Sequence, residues 1–234
     1  MRSPGPVRAV FFDVDFTLIH PGPRFHGPGY AATCAEYGVS VDPLRFDDAV
    51  ARALPMLDDL DDPLYDHDLF ITYTAAIIEA MGGRGEAVRT AAAEIYEAWA
   101  GNHHFELYDD VHEVLLQLTA RKVEIGVISN SHRSLEAFTA HFELDRYVRT
   151  HVSAHPNRYM KPHRSIFDTA LAAAGVTAGE AVMVGDSLKA DVHGALGAGL
   201  RAVWLRRSGE DGAAAPAAVP TIRRLHELPP LLWP

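Results

Sequence analysis

Four short apolar runs, each ending in a cluster of polar residues, constrain this 234-residue chain more than any other feature. The first is Val7 to Phe12, which ends in Asp13-Val14-Asp15-Phe16-Thr17. The second, Val123 to Ile128, ends in Ser129-Asn130-Ser131. The third, Ala181 to Val184, ends in Gly185-Asp186-Ser187, and the fourth, Ala202 to Leu205, ends in Arg206-Arg207. Such dense, β-branched and aromatic runs suit strands buried on both faces of a parallel sheet. Helical patterns lie between them, at Val111 to Arg121, Ser134 to Phe142, Ser165 to Gly175 and Lys189 to Gly199. A further short strand is expected around Tyr147 to Val152. Alternating strand and helix predicts an α/β fold, a Rossmann-like parallel sheet. Right-handed crossovers then bring every strand's carboxyl end to one edge, where open α/β sheets bind ligands.

Residues 20–104 break the alternation. They read as four helices, Gly29 to Tyr37, Phe46 to Leu57, Asp68 to Met81 and Glu86 to Ala100, entered through a Pro- and Gly-rich stretch. The expected organisation is a core of residues 1–19 and 105–234 with an α-helical domain, residues 20–104, inserted over the acidic edge. Residues Ser208 to Pro220 read as loop, and Ile222 to Leu232 as a last short element.

Lys plus Arg total 21 against 31 Asp plus Glu, a formal net charge of -10. That balance speaks against nucleic acid or an anionic membrane as a partner. An acidic chain that takes an anionic substrate must therefore concentrate cations locally. The single cysteine, Cys34, allows no intramolecular disulfide and reads as a packed, inert thiol. No apolar run reaches the ~20 residues of a membrane span, and the start of the chain lacks a secretory pattern. A soluble, cytoplasmic monomer or homodimer is expected.

Residues two apart on a strand point the same way, so Asp13 and Asp15 can flank one ligand, with the Thr17 hydroxyl two residues further on. Two neighbouring carboxylates repel unless a cation intervenes. Asp186 stands at the third strand end, with Asp191 about one helical turn on. Magnesium prefers oxygen ligands and retained waters. Asp13, Asp186 and a carbonyl near Asp15 would supply that shell, with Asp191 supporting it from behind. The Ser129 hydroxyl and the Asn130 amide can donate to phosphate oxygens, and Lys161 before Pro162 can neutralise phosphate and nucleophile together. Each residue also has a plainer reading: an acidic turn, Asp186 or Ser129 as a helix cap, Lys161 as a solvated cation.

Taken together, these pieces resemble the haloacid dehalogenase superfamily, in its phosphatase branch with a helical cap. The family pattern DxDxT after a strand is matched by Asp13, Asp15 and Thr17 in FFDVDFTL. A Ser ending a strand is matched by Ser129, the lysine by Lys161, and GDxxxxD by Asp186 and Asp191 in GDSLKAD. The resemblance implies Asp13 as nucleophile and Asp15 as general acid and base. It implies Mg2+ on Asp13, Asp186 and the Asp15 carbonyl, and Ser129 and Lys161 on the phosphoryl oxygens. The implied substrate is a small-molecule phosphate ester. A second acid at Asp15 speaks for phosphate rather than halide, since halide leaves without a proton. The absence of lysine between His20 and His104 speaks against phosphonate chemistry. Phe16 departs from the glycine common at its position. Substrate contacts are expected at His132 and Arg133 after the second motif and, near the entry to the helical segment, among Arg24, His26 and Tyr30, whose plainer reading is surface loop. The adjacent His103 and His104 are expected to point apart, and Asp58, Asp59, Asp61 and Asp62 to form a solvated loop. A phosphomutase of the same family and a catalytically idle binding protein are the alternatives. The large insert and the DxDxT loop speak against a receiver domain.

Overall fold

The computed structural model describes residues 5–58, 63–207 and 214–233. Strand β1 (Ala9–Phe12) opens the sheet, and the chain leaves it through β2 (Ile19–Pro21). Five helices follow: α1 (Gly27–Glu36), α2 (Phe46–Ala53), α3 (Pro55–Asp58), α4 (His67–Ala80) and α5 (Ala87–Ala98). Strand β3 (Phe105–Leu107) forms a two-stranded sheet with β2. Next come α6 (Val111–Ala120), β4 (Glu124–Ser129), α7 (Leu135–His141), β5 (Thr150–Ser153), α8 (Ala154–Asn157) and α9 (Arg164–Ala174). The chain ends with β6 (Ala181–Gly185), α10 (Gly194–Ala198), β7 (Arg201–Leu205), β8 (Thr221–Ile222) and α11 (Leu228–Leu232). Two compact units result, Pro21–Glu106 and the remainder of the chain.

The larger unit holds a six-stranded parallel sheet in the order β5-β4-β1-β6-β7-β8. The fold is α/β, with helices between the strands. All four residues of β1 are fully buried, as are Val127, Ile128, Met183 and Val184 on its neighbours. Each buried Phe or Ile there contributes about 1.5–3 kcal/mol. Strand order reverses around β1: the chain moves outward to β4 and β5, then returns to β6 on the other side. A crevice opens at such a switch point, beyond the strands' carboxyl ends.

The helical unit packs α4 against both α5 and α2. Aromatic side chains fill it. The Phe70 and Tyr96 rings stack at 5.3 Å, and Phe25 lies 4.5 Å from Trp99 and 5.2 Å from Phe105. Cys34 is buried there, as a packed thiol should be. Tyr30 is also buried, against Phe46, and is no loop residue. His103 and His104 do not point apart. A 3₁₀ turn over Asn102–His104, rather than extended chain, brings their rings to 3.9 Å.

Several boundaries depart from the sequence pattern, each for a local reason. The helix expected from Phe46 to Leu57 divides at Pro55, which lacks an N–H for the helical ladder. The expected helix from Lys189 to Gly199 begins as a wide π turn, Leu188–His193, before α10. The last element resolves into β8, a 3₁₀ turn at Leu225–Glu227 and α11. Of the acidic cluster, Asp59, Asp61 and Asp62 lie outside the described residues. Among the described residues, no helix is long and apolar enough to cross a membrane.

Candidate active site

Register assembles the site. Phe12 pairs with Val127 on one side and Val184 on the other, so the next residues of all three strands emerge level. Asp13 follows β1, its N–H donating to the Val184 carbonyl at 2.9 Å. Ser129 closes β4, and Asp186 follows β6. Asp13, Asp186 and Asp191 each present a carboxylate oxygen within 4.8 Å of the others.

Lys161 is buried in this acidic group and is not a surface cation. Its ammonium donates to Asp13 Oδ1 at 2.6 Å, Asp191 Oδ1 at 2.7 Å and the Ile128 carbonyl at 2.8 Å. An ammonium has three hydrogens, so all are engaged. Burial alone would lower the Lys161 pKa, but the Asp13 and Asp191 carboxylates outweigh it and the net shift is upward. Burial drives the Asp186 carboxyl well above the usual range, and its neighbours Asp13 and Asp191 push it the same way. Burial likewise raises Asp191, against the pull of Lys161. Three carboxylates facing one ammonium leave a formal charge of -2 in a buried site. The donor set is hard oxygen and lacks two positive charges, which fits a divalent cation such as magnesium.

The loops are held from several directions. Asp191 Oδ2 accepts from the Ser187 N–H at 3.0 Å, so both its oxygens are engaged inside the protein. Gly185 permits this, since a Cβ there would collide with the Asp191 carboxylate. Ser187, not Asp186, caps the turn that follows, accepting from the Ala190 N–H at 3.0 Å. The Trp204 indole on β7 donates to the Asp186 carbonyl at 2.8 Å. Asn130 grips the Lys161 backbone twice, donating to its carbonyl at 3.0 Å and accepting from its N–H at 2.7 Å. Its side chain thus fixes the lysine loop. Ser129 Oγ lies 3.0 Å from Ser131 Oγ and caps no helix; Ser134 caps α7 instead.

Asp15 is partly buried, and its carboxylate is turned to Arg133, whose Nη1 donates to Oδ1 at 3.0 Å. Burial raises the Asp15 pKa, and Arg133 opposes the rise. Phe16 takes a left-handed φ of 62°, and the residue is 44% exposed. A glycine would adopt this turn without cost, whereas a Cβ makes it strained. Thr17 is fully buried, and its hydroxyl has no hydrogen-bond partner among the described residues. Its carbonyl accepts from Arg207 Nε at 3.0 Å and Nη2 at 2.9 Å. Arg207 also pairs with Asp110, through Nη2 at 2.8 Å and Nη1 at 3.1 Å, and lies over the Tyr108 ring. Arg207 and Asp110 carry no local motif; only the two arginines ending the β7 run hinted at them.

The expected substrate contacts separate. Arg133 is fully buried and pairs with Asp15. Arg24 belongs to the helical unit, where it pairs with Glu94 at 3.2 Å, and His26 lies 3.3 Å from the Pro21 carbonyl. His132 lines a cavity of about 480 Å3 with Glu136, His151, His155 and Asn157.

A family model of haloacid dehalogenase-like hydrolases matches residues 65–205, more than half of the chain. Over 235 residues, 96% of this chain and of the relative, the sequence is 28% identical to haloacid dehalogenase-like hydrolase domain-containing protein 3 of Danio rerio. It is 33% identical to N-acylneuraminate-9-phosphatase of Mus musculus over 166 residues, 67% of this chain and 64% of the mouse protein. The crystal structure of a HAD phosphatase from Thermococcus onnurineus superposes with a TM-score of 0.66 at 27% identity, covering 97% of this chain and 98% of that one. The chain belongs to the haloacid dehalogenase-like hydrolases. As a member it is a hydrolase, and the proteins of this family similar to it include phosphatases.

Proposed function

We propose that the protein is a magnesium-dependent phosphatase that hydrolyses a small-molecule phosphate monoester through an aspartyl-phosphate intermediate, an acyl phosphate formed on Asp13. The observation that carries this reading is the convergence of Asp13, Asp186 and Asp191 around the buried ammonium of Lys161. Asp13 and Asp186, with the Asp15 carbonyl, would hold magnesium, whose charge neutralises phosphoryl oxygens as they gain negative charge. Asp191, occupied by Lys161 and Ser187, steadies the site from behind.

In the first half-reaction a carboxylate oxygen of Asp13 attacks phosphorus. The bond from phosphorus to the substrate oxygen breaks, and the leaving alkoxide takes a proton from Asp15. In the second, water gives that proton equivalent back to Asp15 and attacks phosphorus. The bond to Asp13 breaks and inorganic phosphate departs. Lys161 holds Asp13 by its Oδ1 and fixes its orientation. The Ser129 and Thr17 hydroxyls and the Asn130 N–H are the proposed donors to phosphoryl oxygens. The unpartnered Thr17 hydroxyl supports that role, since a buried donor left unmet costs about 1–3 kcal/mol. The mouse relative's name supports a sugar phosphate as the kind of ester taken.

A panel of sugar, nucleoside and short-acid phosphates, assayed for free phosphate with and without magnesium, tests the reading. Asp13→Asn is expected to abolish phosphate release while leaving the circular dichroism spectrum unchanged. Wild-type turnover by that variant would remove Asp13 as nucleophile. Product that retains its phosphate would make the enzyme a mutase.

A further inference from the structure

We propose that Arg133 is the positioning residue for Asp15: it holds the carboxyl by Oδ1 and so assigns proton exchange to Oδ2. The inference rests on Asp15 serving as the acid and base of the proposed reaction. Arg133 lies 118 residues beyond Asp15, in the loop after β4. Its guanidinium is fully buried and reaches Asp15 Oδ1 at 3.0 Å, while the Asp15 side chain keeps 19% of its surface open. Asp15 Oδ2 accepts from no donor among the described residues. Arg133 is thus enclosed, while the Asp15 side chain that it holds reaches outward.

The arginine is itself braced. Ser134 caps α7 immediately after it, accepting from the Ala137 N–H at 3.1 Å, and the buried Phe138 ring lies 5.9 Å from the guanidinium. The Ser129 loop and the acid of the DxDxT loop are thus tied by a rigid, permanently charged fork. A group that protonates an alkoxide and later deprotonates water must present the same oxygen twice. A carboxyl free to rotate offers either oxygen at a varying angle, and small misplacements of reacting groups are costly.

The test compares kcat/KM on two esters of similar shape, phenyl phosphate and p-nitrophenyl phosphate. The p-nitrophenolate leaves with little help from an acid, whereas phenolate needs the proton more. kcat/KM reports the first half-reaction, in which the alcohol leaves. Arg133→Met is expected to lower the phenyl ester's value by about tenfold more than the nitrophenyl ester's. Arg133→Lys is expected to restore part of the loss. In an Asp15→Asn background, Arg133→Met is expected to change nothing further. Equal losses on both esters, or an added loss in that background, overturn the proposal while Asp15→Asn itself remains selective. If Asp15→Asn affects both esters equally, the acid assignment falls and the positioning role with it. Should Arg133→Met fail to fold, Arg133→Gln carries the same comparison.

Discussion

Phe16 shows how one residue can work against the fold and still be kept. Its φ of 62° belongs to the left-handed region, where a side chain costs roughly 1–2 kcal/mol relative to glycine. Phe16→Gly is expected to raise stability by about 1 kcal/mol in urea unfolding, because backbone strain is relieved. A loss of stability would mean that the ring's packing outweighs the strain. Lys161 presents the opposite case, a costly burial fully compensated by three acceptors. Its position in the motif was legible in sequence, next to Pro162. Its reach to the proposed nucleophile Asp13 was expected too; that its other hydrogens go to Asp191 and the Ile128 carbonyl was not legible, because those partners lie 30 and 33 residues away with no local pattern to join them.

Among the elements, the strand cores were the most readable part, since a strand buried on both faces has no alternative to an apolar run. Strands β2, β3 and β8 were missed. They have two or three residues each, too few to set up a period. The clamp made by Asp110, at the start of α6, and Arg207, after β7, was also missed. It ties α6, the Thr17 carbonyl and the Leu225 N–H together through a buried ion pair. Burial would raise the Asp110 pKa, but the Arg207 hydrogen bonds and the Leu225 N–H overcome it and the net shift is downward. The sign follows: a carboxyl with a folded pKa below its unfolded value stabilises the protein above that unfolded value. The contribution is lost as pH falls through the lowered folded value. Asp110→Asn is therefore expected to cost about 3–5 kcal/mol at pH 7. The gap to wild type should narrow as pH drops below about 4, the ordinary aspartate range. Urea melts at several pH values check this, and a gap independent of pH would contradict it.

For the whole molecule, the sheet is a device for bringing distant loops to one level. Strand order places β1 between β4 and β6, so Asp13, Ser129 and Asp186 end three adjacent strands. The resulting excess of negative charge makes a thermal prediction. A ligand that binds only the native state stabilises by RT ln(1 + [L]/Kd), about 2.7 kcal/mol at a hundredfold excess over Kd. Magnesium is expected to raise the melting temperature of the wild type and to raise that of Asp186→Asn less. Equal shifts in both proteins would remove Asp186 from the metal site.

The sequence alone determined the α/β class, the burial of the strands and the positions that carry oxygen and nitrogen chemistry, because periodicity and side-chain type are local properties. Tertiary structure decided who pairs with whom. It turned Asp15 toward Arg133, joined Arg207 to Asp110 and gave Asn130 to the Lys161 backbone. These choices depend on strand order and register, which set distances between residues that no local pattern connects.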